Sequence, residues 1–236
     1  MKRLTLIALF LATFALAEGV PDGKSLYWGG RMSWILGSAW NDEPVRGVFS
    51  RSGNRIEESE LIESGSWGLE LGALCWYRLN SVVGFEGEAN MKWVDMRLAH
   101  DIYNRTLDGG EYDQAKDAFL LVWSLDFPLV VRVTPTPSFY LESGAQFNLN
   151  LGTDLSSDDE SFEFDAERYG WSLVFGGGAY SYNPQKNLLW SAGLRLVIDM
   201  TRIEKEGIVE IWKGAAYREA SPMKLWNFQF NLAFYF

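Results

Sequence analysis

The stretch that decides the fold is Trp226-Asn227-Phe228-Gln229-Phe230-Asn231-Leu232-Ala233-Phe234-Tyr235-Phe236. Large apolar residues occupy every second position, and asparagine, glutamine, alanine and tyrosine occupy the positions between them. Because successive side chains of a β-strand lie on opposite faces, this alternation predicts one strand with an aromatic face and a largely polar face.

Seven further segments show the same alternation when the chain is followed back from this stretch. In chain order, the eight predicted strands cover residues 26–40, 66–78, 82–97, 117–132, 138–151, 169–182, 188–203 and 223–236. Each is long enough for the roughly 9–11 residues that a tilted strand needs to cross a bilayer.

The connections between these segments alternate in length. Long polar stretches follow the odd-numbered segments, at 41–65, 98–116, 152–168 and 204–222, and short ones follow the second, fourth and sixth, at 79–81, 133–137 and 183–187. This pattern is typical of an up-and-down barrel with short periplasmic turns and long extracellular loops. We therefore predict an all-β fold, a single eight-stranded antiparallel transmembrane β-barrel. A ten-stranded barrel is the alternative if the first or fourth long loop contains a hairpin.

Pro128 falls inside the fourth segment. Proline has no N–H to donate to a sheet, so we expect a β-bulge there, or a strand that has already left the hydrocarbon layer.

The first residues predict a secretory leader. Met1-Lys2-Arg3 is basic, residues 4–14 are almost wholly apolar, and Ala15-Leu16-Ala17 carries small residues where a signal peptidase cuts. The apolar run is shorter than the roughly 20 residues of a spanning helix. We therefore divide the chain into a signal peptide at residues 1–17, cleaved near Ala17, and a barrel domain at residues 18–236.

Composition supports a barrel and excludes other classes. The chain is 47% hydrophobic and 15% aromatic, with 11 tryptophans, yet its mean hydropathy is only −0.10. An alternating strand produces this combination, and the aromatic residues suit belts at two membrane interfaces. A net charge of −10 argues against nucleic-acid binding, and a single cysteine excludes an intrachain disulfide.

The inward faces of the predicted strands carry many charges, and an eight-stranded barrel is only wide enough for side chains to fill. We expect a salt-bridged lumen plug, with a narrow gated ion pathway as the alternative and an enzyme built on Glu86 and Glu88 as a third possibility. The residues of this expected lumen network are Arg31, Glu70, Arg78, Glu86, Glu88, Lys92, Asp126, Glu142, Arg195 and Asp199.

Other candidate features have ordinary structural interpretations. His100, the only histidine, stands beside Asp101 where the third strand meets an outer loop, but no nucleophile motif accompanies it. Cys75 alternates onto the lipid face. The third long loop is acidic, and divalent cations could bind there, although its spacing is not that of an EF-hand. Its carboxylates are Asp154, Asp158, Asp159, Glu160, Glu163, Asp165 and Glu167. No catalytic residue, resident metal or cofactor is predicted.

Two stretches carry a resemblance to a known family. Residues 127–132, Phe-Pro-Leu-Val-Val-Arg, and 140–145, Tyr-Leu-Glu-Ser-Gly-Ala, resemble the hairpin between the fourth and fifth strands of small porin-family proteins. These are outer-membrane β-barrel domain proteins with an eight-stranded barrel like that of outer-membrane protein A. The closing strand also resembles the C-terminal signature that the barrel assembly machinery recognises, which would place that signal on Phe228, Phe230, Leu232, Phe234 and Phe236.

These observations favour a non-enzymatic protein of the outer membrane that serves envelope integrity or surface interaction through its outer loops. The alternatives are a narrow porin-like channel for small solutes or ions and a membrane-embedded hydrolase or acyltransferase. The expected partners are outer-membrane lipid and lipopolysaccharide, with the barrel assembly machinery during insertion.

Overall fold

In the described part of the chain, the backbone forms twelve strands and no helix. The computed structural model describes residues 20, 24–40, 45–52, 55–106, 111–157, 161–201, 204–212, 215–219 and 224–236, and side chains within 20, 24–38, 65–97, 119–154, 166–201 and 224–236. The predicted leader lies outside these residues, so its cleavage stays a prediction. The strands are β1 (Leu26–Trp40), β2 (Val45–Ser52), β3 (Arg55–Arg78), β4 (Val83–Thr106), β5 (Glu111–Thr136), β6 (Phe139–Ser157), β7 (Ser161–Ala166), β8 (Tyr169–Asn183), β9 (Leu188–Asp199), β10 (Glu204–Trp212), β11 (Ala215–Glu219) and β12 (Lys224–Tyr235).

Eight of these strands close into one antiparallel barrel. Going round the wall, the order is β1, β12, β9, β8, β6, β5, β4, β3, and β3 then pairs with β1 again. Each wall strand therefore has two hydrogen-bonded neighbours, and apart from the closing pair of β1 and β12 these neighbours are successive wall strands along the chain. The predicted eight-stranded, up-and-down barrel is confirmed.

The long connections contain strands that the apolar pattern did not predict. β3, β4 and β5 extend well past the predicted segments, to Arg55, Thr106 and Glu111. β2 pairs with the β3 extension, and β10 pairs with β7 and β11 in a separate three-stranded sheet. The prediction of loops at 41–65 and 98–116 was thus largely wrong, because backbone ladders can continue beyond the membrane without an apolar face. These extra strands do not enter the barrel wall, so the ten-stranded alternative does not hold.

Two predicted strand details also need correction. No bulge marks Pro128: the β4–β5 ladder passes from Gly87↔Leu129 to Asn90↔Asp126 without a change of register, and Pro128 lies opposite Gln146 of β6. Pro128 is buried between the exposed Phe127 and Leu129, so it lies within the apolar wall.

The seventh strand ends earlier than predicted. β9 stops at Asp199 rather than at residue 203. The hydroxyl of Thr201 accepts a hydrogen bond from the backbone N–H of Trp171 at 3.0 Å. At this point a side-chain oxygen takes the place of the backbone carbonyl that would accept from Trp171 if the strand continued.

The two faces of the wall differ as predicted. In β12, Phe228, Phe230 and Phe234 are exposed on the outside, whereas the amides of Asn227 and Gln229 are buried inside. Exposed apolar side chains recur on the outer face of the wall strands, including the predicted outward Cys75. A protein in water rarely exposes more than a few hundred Å² of continuous apolar surface, so this exterior is a lipid-facing surface.

Exposed aromatic side chains occur toward both ends of the wall. Trp28, Tyr77 and Phe236 lie toward the short turns, and Trp67 and Trp171 lie toward the long connections. This distribution suits the two membrane–water interfaces. None of the described segments is a helix that is long and apolar enough to cross a membrane.

Candidate functional site within the barrel lumen

A closed ring of six charged side chains crosses the middle of the lumen. Arginines and glutamates alternate around it, and every neighbouring pair is joined by an N–O contact of 2.6–2.8 Å. In order, the members are Arg31, Glu86, Arg132, Glu142, Arg195 and Glu88, and the last contacts the first again. Each arginine thus bridges two carboxylates, and each carboxylate bridges two arginines.

The ring forms because inward positions of five strands meet at one level. Arg31 comes from β1, Arg132 from β5, Glu142 from β6 and Arg195 from β9, while β4 supplies both Glu86 and its i+2 neighbour Glu88. All six are buried. Removing a charge from water costs several kcal/mol, and the double pairing of every member offsets that cost. The ring carries equal numbers of positive and negative charges.

Arg132 is the central residue that the sequence analysis missed. Besides Glu86 and Glu142, its guanidinium donates to the hydroxyls of Tyr180 at 3.0 Å and Tyr235 at 2.7 Å. It also lies over the ring of Tyr140, 4.2 Å from the centroid. Strand alternation placed Arg132 on the same face as Asp126, so the information was present in the sequence, although the nearby prolines suggested that the strand was ending.

An aromatic layer lies directly beneath the ring, on the side of the short turns. It consists of Tyr27, Trp76, Tyr140, Tyr180 and Tyr235. Trp76 stacks on Tyr27 and on Tyr180, with centroid separations of 5.1 and 5.3 Å. Gly178 and Gly193 make room for Tyr140, since a Cβ at either position would lie within 2.7 Å of its hydroxyl.

A residue that precedes the first strand covers this aromatic layer. Val20 is buried among the aromatic side chains, and its N–H donates to the carbonyl of Pro137 at 3.0 Å. The short-turn end of the lumen is therefore filled by large apolar side chains below a neutral ring of ion pairs.

The lumen above the ring, toward the long connections, is polar and acidic. The ammonium of Lys92 lies 2.6 Å from Asp126, which also accepts hydrogen bonds from Ser124 and Gln146. Asp199 accepts from Ser172 at 2.5 Å. Glu70 accepts from three neutral side chains, Ser33, Asn90 and Gln229.

The structure therefore brings together nine of the ten residues expected in the lumen network, in two layers. Five of them belong to the ring, and the other four, Glu70, Lys92, Asp126 and Asp199, lie in the polar lumen above it. Arg78 is the tenth, and it lies apart from these two layers. It is half-buried at the short-turn end of β3, where its guanidinium lies 5.7 Å from the ring centroid of Trp76. Its position at the last residue of the strand places it below the aromatic layer, away from the ring.

The candidate loop features fall mostly outside the described side chains. His100 lies in the extension of β4, at the register position opposite Leu61 and Lys116, and its side chain is not among those described. Of the acidic third loop, Asp154 is an exposed residue of β6 and Glu167 lies just before β8, while residues 158–160 lie outside the described backbone. Divalent binding at this loop stays a prediction.

The closing strand holds the expected assembly signal at the seam of the barrel. Phe236 exchanges backbone hydrogen bonds with Trp28, at 2.8 and 3.4 Å, and its ring lies 5.6 Å from that of Trp28. Phe228, Phe230, Phe234 and Phe236 are exposed on the outer face, and Leu232 is half-buried there. Recognition by the assembly machinery stays a prediction.

We expect Phe236→Ser to reduce assembly in cells far more than it reduces stability. The backbone pairing with Trp28 does not need the aromatic ring, whereas a recognition signal would. The measurement compares folded protein in the outer-membrane fraction with the yield of refolding into detergent, and Phe139→Ser, another exposed phenylalanine, is the matched control. Equal losses in cells and in detergent would contradict a role in assembly.

Comparisons with known proteins return solved barrels at low sequence identity. Matching structures include the outer membrane protein OprG from Pseudomonas aeruginosa, at 13% identity over 90% of this chain and 97% of that chain, with a TM-score of 0.49. The translocator domain of autotransporter NalP from Neisseria meningitidis matches at 10% identity over 99% and 96%, with a TM-score of 0.38. Ail, the attachment invasion locus protein of Yersinia pestis, matches at 10% identity over 90% and 100%, with a TM-score of 0.29. No protein-family model and no curated protein sequence matches the chain.

Proposed function

We propose that this chain is a non-enzymatic protein of the bacterial outer membrane whose lumen is closed, and that it serves envelope integrity or surface interaction through its outer loops. The observation that carries the proposal is the ring of six charged side chains with the aromatic layer beneath it. Every ring member has two partners of opposite charge, and Trp76 and all four tyrosines of the layer are less than 3% exposed. A solute crossing the lumen would have to separate these ion pairs and displace the stacked rings.

The apolar exterior supports the membrane location, because side chains such as Trp28 and Leu129 are each 64% exposed.

The extended strands support a surface role. β3, β4 and β5 continue past the wall on the side of the long connections, where they carry β2 as an additional strand. This arrangement presents an ordered sheet above the membrane, which suits contact with lipopolysaccharide or with another surface.

A narrow channel is the second candidate. The observation that favours it is the polar upper lumen, in which buried amides such as those of Asn227 and Asn231 have oxygen atoms without a partner among the described residues. Such groups are suited to holding water. In this alternative the ring would be the constriction that limits passage.

Conductance across a planar bilayer separates the two candidates. We expect the refolded wild-type barrel to give no steady conductance, because the ring and the aromatic layer fill the lumen together. Insertion is verified by protease protection in the same lipid, and a porin reconstituted in parallel shows that the bilayer can report an open pore. Steady single-channel openings of the wild-type protein would contradict the closed lumen and favour the channel.

The biological role needs a separate measurement in cells that lack the protein. We expect such cells to take up a hydrophobic dye or to lyse in detergent more readily, and the wild-type gene to restore the barrier. A variant whose residues 41–64 are replaced by a short turn tests the outer strands. Binding of the cells to lipopolysaccharide or to another surface is measured in parallel. If the variant restores the dye and detergent barrier but not this binding, the surface interaction belongs to residues 41–64.

A further inference from the structure

The charges of the lumen do not balance, and the imbalance lies above the ring. Among the side chains that the structure describes, four basic and six acidic ones are buried in the barrel. The ring uses three of each, and Lys92 pairs with Asp126. Glu70 and Asp199 are the remaining two carboxylates, and among the described side chains the hydrogen-bond partners of Glu70 are all neutral.

Glu70 lies in a cage of oxygen-bearing side chains from four strands. It belongs to β3, and it accepts hydrogen bonds from Ser33 of β1 at 3.4 Å, Asn90 of β4 at 3.0 Å and Gln229 of β12 at 3.4 Å. Glu70, Asn90 and Gln229 are each at most 1% exposed. An isolated buried carboxylate is costly, and neutral donors offset only part of that cost.

The amides beside Glu70 have oxygen atoms that lack partners. Oδ1 of Asn90 and Oε1 of Gln229 are buried and make no hydrogen bond with any described group. The nitrogen atoms of the same two amides donate to Glu70, and the nitrogen of Asn90 also donates to Glu88 at 2.9 Å, so each oxygen without a partner belongs to an amide group that contacts the Glu70 carboxylate. Rotation of an amide about its last side-chain bond exchanges oxygen and nitrogen, and it would turn both oxygens toward the carboxylate.

We propose that Glu70, Asn90, Gln229 and Ser33 bind a hard metal cation, Na⁺ or Ca²⁺, in the lumen above the ring. Carboxylate, amide and hydroxyl oxygens are the ligands that such cations prefer, and the uncompensated charge of Glu70 supplies the attraction. No cysteine or histidine is among the four, so the site does not suit zinc or copper. Access to the site would be through the polar upper lumen, where Lys92 and Asp199 are 8% and 9% exposed. The site is independent of whether the lumen conducts.

The test measures the urea unfolding midpoint of the refolded barrel in a non-ionic detergent. The salts are NaCl, CaCl₂ and choline chloride at matched ionic strength, because choline is too large to enter an oxygen cage. We expect the wild-type midpoint to rise with concentration in NaCl or in CaCl₂ relative to choline chloride, and the effective salt identifies the charge of the bound cation. Equal midpoints in all three salts would overturn the proposal.

Two variants and a control locate the effect. Glu70→Gln keeps the side-chain shape and should abolish the salt-specific rise. Gln229→Met removes one oxygen ligand but keeps the charge, and it should raise the half-effective concentration about tenfold. Asp95→Asn makes the same charge change on a half-buried residue of β4 that belongs to neither the lumen network nor the acidic loop, and it should leave the rise unchanged. If Glu70→Gln does not fold, Gln229→Met decides the question. A full rise with wild-type concentration dependence in either lumen variant would overturn the site.

Discussion

Arg132→Met is expected to lower the free energy of unfolding by about 3–5 kcal/mol, because it removes one partner from buried charges and leaves the others behind. Glu86 and Glu142 would each lose an ion pair of 2.6 Å, and the hydroxyls of Tyr180 and Tyr235 would lose their guanidinium donor. Methionine fills much of the same volume, so the loss reports charge more than packing. Reversible urea unfolding in detergent or lipid vesicles measures it.

A second variant separates the ring from a general effect of losing an arginine. Arg132→Met with Glu86→Gln restores equal charge and leaves Arg31, Glu88, Arg195 and Glu142 as a connected chain of ion pairs. We expect this double variant to recover part of the lost stability. Arg168→Met changes an exposed arginine and should cost little. If Arg132→Met proved as mild as Arg168→Met, the ring would not be a stabilising unit.

Gly29→Ala is expected to prevent closure of the barrel. A Cβ at this position would lie 1.7 Å from the backbone carbonyl oxygen of Phe234 and 3.1 Å from Cα of Tyr235, both in the facing strand β12. These are backbone atoms, so they cannot move aside without breaking the ladder between β1 and β12. We expect most of the protein to lose heat-modifiability, so that unboiled samples migrate like boiled ones on a detergent gel.

The neighbouring glycine is the matched control for this prediction. A Cβ at Gly30 would meet only the carbonyl oxygen of Gly72, at 3.6 Å, which is an ordinary contact. Gly30→Ala should therefore fold and keep its mobility shift, although it adds the same methyl group to the same strand, β1. Normal folding of both variants would show that the β1–β12 seam can relax to accept a side chain.

Some of the lumen could be predicted residue by residue, and some could not. Alternation placed nine of the expected charges inside, because burial on one face of a strand is a local property of the sequence. It did not identify Arg132, since a proline-rich turn follows and suggested that the strand was ending there. It placed Arg78 on the same inward face as the others, but alternation does not give the depth of a residue along the barrel.

By itself, the sequence determined the fold class and the two faces of each strand, and it favoured eight wall strands over ten. These follow from a period-two pattern and from the alternation of long and short connections, which are read along the chain. Tertiary structure alone decided which charges meet. Arg132 reaches Glu86 across 46 residues of sequence, and Arg195 reaches Glu88 across 107. The stagger of neighbouring strands and the closure of β1 on β12 set those pairings, because they fix the depth at which each inward side chain enters the lumen.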